Sequence, residues 1–228
     1  KLMIPMCLLN ARLSERSVQG YRRIMPLIQP AIEQFSVLAA QHEQDAQRLL
    51  KLGANEQSLT TTGSIKFDIQ LNQDDIRAGK ALRKQLCWLD KKVLIVASTH
   101  KGEDEILLSI YRTLKQQYPQ LKLIVVPRHP ERFQTVYQLL QGENIIVVKR
   151  SELSAGFEPL AENSIADILL GDSMGEMIRY FSCADIVFMG GTLLPTGGHN
   201  ILEPAALGLP IVYGSYMFNF NAINDLFL

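Results

Sequence analysis

From residue 92 onward, short apolar runs alternate with stretches of helical character, and this alternation limits the fold more than any other feature of the chain. "KVLIVAST" leads to a predicted helix over 103–117, "LKLIVVP" to one over 130–141, and "NIIVV" to a loop. "ADILLG" leads to a helix over 174–182, "ADIVFMG" to one over 200–207, and "LPIVYG" follows as a last strand. Strands that are apolar on both faces must be covered on both faces, which a parallel sheet between two layers of helices achieves. The fold class expected is therefore α/β. In open sheets of this kind ligands bind beyond the carboxyl ends of the strands, so the residues just after each apolar run are the first place to look for chemistry.

Upstream, the pattern is shorter. Ile4–Leu9 reads as a strand, "NARLSERS" as a solvated charged turn, and a helix starting near Gly20 is expected to break at Pro26 and Pro30. Phe35–Ala40 reads as a strand, "QHEQDAQRLLKLGA" as a helix ended by Gly53, and "LTTTGSIKFDI" as a β-branched strand with a turn. These elements look like the last part of an α/β domain over residues 1–69, and residues 70–228 form a second, fuller one that opens with the polar, helix-prone stretch 72–90. The chain opens at Lys1 and stops at "NFNAINDLFL", where a helix has just begun, so a fragment is expected.

Composition narrows the function. With 23 basic and 23 acidic residues among 228, no surplus of cations is available to neutralise a run of phosphates, and a nucleic-acid partner is not expected. Cys7, Cys87 and Cys183 lie far apart without CxxC spacing, which suggests neither a zinc site nor a disulfide framework. No apolar run approaches the ~18 residues of a membrane span.

The strand ends gather a distinct set of residues. Ser98, Thr99, His100, Lys101, Gly102 and Glu103 follow the first apolar run, and Pro127, Arg128, His129 and Pro130 follow the second. Asp172, Ser173, Met174, Gly175 and Glu176 follow "DILLG", while Gly190, Gly191, Gly197, Gly198, His199, Asn200 and Glu203 follow "DIVFM". A glycine-rich turn feeding a helix start presents unpaired N–H groups that suit phosphate, a carboxylate at Glu203 suits the two hydroxyls of a ribose, and Arg128 adds a fixed cation. A phosphate, a diol and a cation describe a nucleotide. Each feature also has a structural explanation: glycine pairs make tight turns, Glu203 favours a first helical turn, and His100 and His129 read as loop histidines bonded to backbone. Neither GxGxxG after the first strand nor GxxxxGK[ST] is present, which speaks against a nicotinamide oxidoreductase and a P-loop ATPase.

The segments "NARLSERS", "TGSIKFD", "STHKGEDE", "VPRHPERF", "GDSMGEM", "GGTLLPTGGHNILEPAA" and "FNF" resemble, in that order, the motifs of the bacterial 3-deoxy-D-manno-octulosonic acid (Kdo) transferases. The resemblance implies a GT-B glycosyltransferase with two Rossmann-like domains, the acceptor side lying mainly in the N-terminal one and the sugar nucleotide mainly in the C-terminal one. It implies transfer of Kdo from the donor CMP-Kdo to a lipid A precursor, at the cytoplasmic face of the inner membrane, with no metal and no cofactor. The membrane would be met through an N-terminal anchor and apolar or basic surface. On this resemblance CMP is held by Pro127 and Arg128, by Met174, Gly175 and Glu176, and by the segment Asn200, Ile201, Leu202 and Glu203. Ser98, Gly190, Gly191, Gly197 and Gly198 would support the donor-site loops. Lys66 matches a lysine thought to stabilise the transition state, and the general base falls in a part of the family not contained here, so neither Glu15 nor Glu43 is assigned that role. Family members often carry proline at the position of Ile201 and "GPHTFNF" in place of "GSYMFNF". A GT-B enzyme using a UDP-sugar, or a nucleotide-binding module without chemistry, are the competing readings.

Overall fold

The computed structural model describes residues 4–142, 145–153 and 165–220. The chain divides into two compact units, Lys1–Ile69 and Gln70–Leu228.

The first unit is a three-stranded parallel sheet in the order β1 (Met6–Ala11), β2 (Phe35–Ala40), β3 (Leu59–Thr61), with helices α1 (Glu15–Arg22), α2 (Met25–Ile32) and α3 (Glu43–Leu50) in the connections. "NARLSERS" is not a solvated turn throughout. Ser14 caps α1 by accepting the Ser17 N–H at 3.1 Å, and Glu15 sits in the first turn, where the helix dipole favours an acid. Pro26 starts α2 rather than breaking a helix, and Pro30 lies inside it. Pro30 removes only the N–H that would have met the Pro26 carbonyl, and both residues are exposed, so no polar group is stranded in the interior. A small core of Ala11, Ala40, Ala46 and Leu49 is closed by the buried Asp45, which accepts the Leu13 N–H at 2.9 Å and pairs with Arg48 at 3.4 Å. Strand β1 keeps Met6, Leu8 and Leu9 exposed.

The second unit opens with α4 (Gln73–Gln85), capped by Asn72, which accepts the Asp74 N–H at 2.9 Å. Then follow β4 (Val93–Thr99), α5 (Glu103–Gln117), β5 (Lys122–Pro127), α6 (Phe133–Leu140), β6 (Val147–Lys149), β7 (Ile168–Leu170), α7 (Met177–Cys183), β8 (Ile186–Met189), α8 (Leu202–Ala206) and β9 (Ile211–Tyr213). The sheet order is β6-β7-β5-β4-β8-β9 and every neighbouring pair is parallel. The expected α/β class with two parallel sheets is what the chain forms. From β4 the chain builds outward on the β5 side, then crosses back to place β8 on the other side of β4. That reversal opens a crevice at the carboxyl end of β4.

Three predicted helices differ in extent. The helix over 130–141 starts as a 3-10 turn at Pro130–Arg132 before α6, and the one over 174–182 starts at Met177. The helix over 200–207 shrinks to the five residues of α8 and is followed by Gly208 at φ 72°. Part of "NIIVV", and the helix expected in the final residues, fall on 143–144 and 221–228, outside the described residues.

One face of the large sheet packs Val96, Leu123, Val125, Ile168 and Leu170 against Leu107, Leu108, Tyr111, Val136 and Leu140. Each such side chain, buried fully, stabilises the unit by roughly 1.5–3 kcal/mol. Trp88 is wholly buried and donates its indole N–H to the Ala166 carbonyl at 3.0 Å. Helix α4 lies close against α7 because residue 79 is glycine: a Cβ there would fall 2.4 Å from the Arg179 carbonyl oxygen. Arg83 fixes the same region, donating to Asp185 at 2.9 Å and to the Lys91 carbonyl at 2.7 Å. Among the described residues no helix is long and apolar enough to cross a membrane.

Candidate functional site

The crevice is built where β4, β5 and β8 end. Ser98 adopts φ 57°, and the β4–β5 register shifts between Ala97 and Thr99, so the strand bulges at Ser98 before Thr99 pairs with Pro127. Gly190 follows β8 and donates its N–H to the Ala97 carbonyl at 2.7 Å. A Cβ at Gly190 would meet the Ser98 carbonyl oxygen at 2.6 Å and Thr99 Cα at 2.8 Å, so only glycine lets these two exits touch.

Beneath them lies Glu103, wholly buried at the start of α5. One carboxylate oxygen accepts the His100 N–H at 2.9 Å and the Gly191 N–H at 2.7 Å, and the other accepts those of Thr192 and Leu193, each at 3.0 Å. Four backbone donors therefore converge on one side chain. The run of N–H groups at Gly191, Thr192 and Leu193 is thus taken up by the protein's own carboxylate, which ties the β4 loop to the β8 loop. The sequence places Glu103 in the strand-end cluster but does not show that its task is to hold these two loops. Beside it, Asp104 is buried, accepts the Thr99 hydroxyl at 2.5 Å and pairs with Arg132, which also donates to the Thr99 carbonyl at 2.7 Å.

The second glycine pair also serves the chain itself. The Gly198 N–H donates to the Gly191 carbonyl at 2.7 Å, and a Cβ at Gly198 would lie 2.4 Å from the Met217 sulfur. At Gly197 it would lie 2.1 Å from Asn219 Nδ2. Asn200 Oδ1 accepts the Leu202 N–H, the first of the short α8, at 3.1 Å. Ile201 and Leu202 turn into the core with 1% and 5% of their surface exposed, so neither side chain is offered to a ligand. Of the expected open helix start, the N–H groups of His199, Asn200 and Ile201 are those without a backbone acceptor among the described residues.

Glu203 is half-buried and makes no hydrogen bond or ion pair among the described residues; burial raises its pKa. A carboxylate in that state is suited to two neighbouring hydroxyls. Pro127 is the buried last residue of β5, and Arg128 follows it exposed, its N–H bonded to the Thr99 carbonyl at 3.1 Å.

Three histidines meet here, which their sequence positions do not show. His100 Nε2 and His199 Nε2 are 2.8 Å apart, with ring planes 8° from parallel, and His129 approaches His100 edge-on at 5.4 Å. The rings of His100 and His199 are bonded to each other, which corrects the expectation that His100 bonds backbone through its ring. Burial lowers the pKa of both, and for His199 burial together with the nearby His100 and Arg128 brings it to about 4.

At the end of β7 the turn Ser173–Glu176 has Gly175 at φ 78° and leaves Met174 exposed. Glu176 is held on all sides: Arg150 donates at 3.0 Å, Arg179 at 2.5 Å, and the Ser173 hydroxyl also donates to it. Burial alone would raise its pKa, but the Ser173 hydrogen bond and the two guanidinium charges outweigh this and hold it below the usual value. Arg179 in turn donates to Asp75 of α4 at 2.8 Å. Ser151 adds a second link between the ends of β6 and β7, its hydroxyl donating to Asp172 at 2.6 Å. Arg150 thus anchors the Met174–Glu176 turn, a role that an arginine beside a short strand does not reveal in sequence. Lys66 lies in a 3-10 turn, Ile65–Phe67, of the first unit, and its side chain lies outside the described residues.

A six-stranded parallel sheet with its switch point beside a cation, a half-buried carboxylate and free amides defines a Rossmann-like α/β unit suited to a nucleotide. Residues 1–69 match the family model described as 3-Deoxy-D-manno-octulosonic-acid transferase (kdotransferase). The protein of that name from Haemophilus influenzae is 41% identical over 220 residues, which are 96% of this chain and 50% of that protein. The one from Bordetella pertussis is 33% identical over 223 residues, 95% of this chain and 49% of that protein. Among solved structures, the C-terminal CMP-Kdo binding domain of WaaA from Acinetobacter baumannii is 36% identical with a TM-score of 0.61, covering 68% of this chain and 78% of that one. The chain belongs to the 3-deoxy-D-manno-octulosonic acid transferase family. It spans about half the length of the curated full-length transferases it matches.

Proposed function

We propose that the second unit binds CMP-Kdo and that the whole protein transfers Kdo to a lipid A precursor in lipopolysaccharide core biosynthesis. One observation carries this reading: the residues that the family resemblance assigns to CMP stand beyond the carboxyl ends of β5, β7 and β8 in a unit related to a CMP-Kdo binding domain. Glu203 accepts the ribose hydroxyls, Arg128 and the amides before α8 hold the phosphate, and the Met174–Gly175–Glu176 turn holds the nucleotide from the β7 side. Ile201 and Leu202 contribute backbone alone, and Ser98, Gly190, Gly191, Gly197 and Gly198 shape the loops.

The chemistry is displacement of CMP from the anomeric carbon of Kdo by an acceptor hydroxyl. As the bond to the phosphate oxygen lengthens, negative charge grows on the leaving phosphate. A fixed guanidinium and preplaced amides stabilise that charge more in the transition state than in the bound donor. Lys66 is assigned the same task on the resemblance alone. On the resemblance, no residue of this chain is assigned the role of general base. The membrane face is supported by Tyr21, Ile24 and Leu27, which are exposed beside the exposed Arg22 and Arg23, an apolar and basic pairing suited to a lipid surface.

Titration calorimetry with CMP and UDP tests the reading. CMP is expected to bind at least about tenfold more tightly, a difference of about 1.4 kcal/mol. Preference for UDP would overturn it.

A further inference from the structure

The proposed function leaves the histidines without a task, and their geometry is specific enough to assign one. The 5.0 Å between the ring centroids of His100 and His199 is close to the largest that the 2.8 Å nitrogen separation plus one ring radius at each end allows. The rings therefore meet edge to edge in nearly one plane, as an Nε2–H···Nε2 hydrogen bond requires. One ring must carry its proton on Nε2 and the other must leave Nε2 bare. Such a pair can take one more proton, on the outer Nδ1 of the donating ring, and the bond then becomes charge-assisted. It cannot take two, since both Nε2 atoms would then carry protons pointing at each other.

The surroundings decide when that proton arrives. Facing the pair are Arg128 and His129 from the loop after β5, Arg132 from the 3-10 turn that follows, and Glu103 from α5. Glu103 is already held by four amides, Arg132 is paired with Asp104, and His129 lies 3.9 Å from Glu131. Arg128 has no such partner among the described residues, and it is the cation to which the proposed function brings a phosphate. Residue 191 is glycine under both rings, where a Cβ would come within 2.9 Å of His199 Cδ2 and 3.4 Å of His100 Cδ2. The pair is thus seated close over the Gly191 backbone.

Resting on the reading of the second unit as a CMP-Kdo site, we propose that the His100–His199 pair is a proton-linked oxyanion subsite: binding of the nucleotide's phosphate beside Arg128 draws one solvent proton onto the pair. The phosphate supplies the charge that makes the added proton favourable. The proton adds to the outer Nδ1, the Nε2–H···Nε2 bond stays intact, and release of CMP returns the proton to solvent. Loss of product is thereby coupled to loss of that charge.

Linkage sets the sign. The bound-state pKa of the pair lies above its free-state value, so affinity is highest at low pH and is lost as pH rises through the bound-state pKa. Calorimetry of CMP with the intact chain, in buffers of different ionisation enthalpy, counts the protons directly. Uptake is expected to approach roughly one proton per nucleotide as the pH is lowered from about 8 to about 7, a range in which free CMP is already close to a dianion. Cytidine, lacking the phosphate, is expected to bring no uptake. The chain has four histidines, so the imidazole Cε1 resonances of His100 and His199 can be followed against His42 and His129. They are expected to shift together with CMP and not with cytidine. His199→Asn is expected to abolish the uptake while leaving measurable CMP binding; should that variant not fold, the resonances of the unaltered chain decide. CMP binding without proton uptake, or with His100 and His199 resonances unmoved, overturns this subsite and leaves the CMP reading standing. Absence of CMP binding overturns both.

Discussion

Replacing Glu103 by glutamine keeps the shape of the side chain and exchanges one acceptor oxygen for a donor NH2. Whichever way the amide is turned, two of the four N–H groups now face a donor: His100 and Gly191 on one side, or Thr192 and Leu193 on the other. A buried donor left without its acceptor costs about 1–3 kcal/mol, so two cost about 2–6 kcal/mol, and the remaining pair also loses its charge assistance. A loss of about 4 kcal/mol is a large share of the 5–15 kcal/mol typical of a domain. Trp88 reports the event cleanly, because it is the only tryptophan and is fully buried in the second unit. With a urea dependence of about 2 kcal/mol per molar, the fluorescence midpoint of Glu103→Gln is expected to fall by about 2 M. A fall of less than about 0.5 M with an unchanged slope would refute the view that this carboxylate holds the two loops together.

Other outcomes follow from the same contacts. Gly190→Ala is expected to destabilise the unit by more than about 3 kcal/mol, since the new methyl meets rigid backbone, whereas Gly175→Ala, with open space around it, is expected to cost only the roughly 1–2 kcal/mol of its left-handed conformation; paired urea titrations separate the two. Glu203 has a folded-state pKa raised by burial, so its contribution is most favourable below its unfolded pKa and is lost as pH rises through the folded value. Glu203→Gln is therefore expected to raise the melting temperature at neutral pH while weakening CMP binding about tenfold or more, which calorimetry and thermal melts can read on one sample. In an intact family enzyme carrying this chain's sequence, Lys66→Ala is expected to lower kcat by about 100-fold or more with a smaller change in KM, and steady-state rates check it.

How far the sequence reveals all this depends on whether a signal is local. Strand β2 and helix α5 fall where the residues place them, Phe35–Ala40 and Glu103–Gln117, because apolar runs and helical periods are written in consecutive positions. Helix α8 starts two residues later than expected, with the Asn200 side chain accepting the Leu202 N–H, and the glycines before it meet Met217 and Asn219, residues that no local pattern connects to them. Glu103 looks like an ordinary acid in a first helical turn, and its four donors lie partly 88 to 90 residues away. The His100–His199 bond spans 99 positions and Arg150–Glu176 spans 26, so both appear only once the sheet brings the strand ends together. The placement of Arg128, Asn200 and Glu203 beyond strand ends was legible because a parallel sheet dictates where such residues go.

The most direct test of the account is a crystal structure of the chain with CMP bound. The phosphate is expected within ion-pair reach of the Arg128 guanidinium and the ribose hydroxyls on the Glu203 carboxylate, beyond the ends of β5 and β8. A nucleotide seated away from both residues would contradict it.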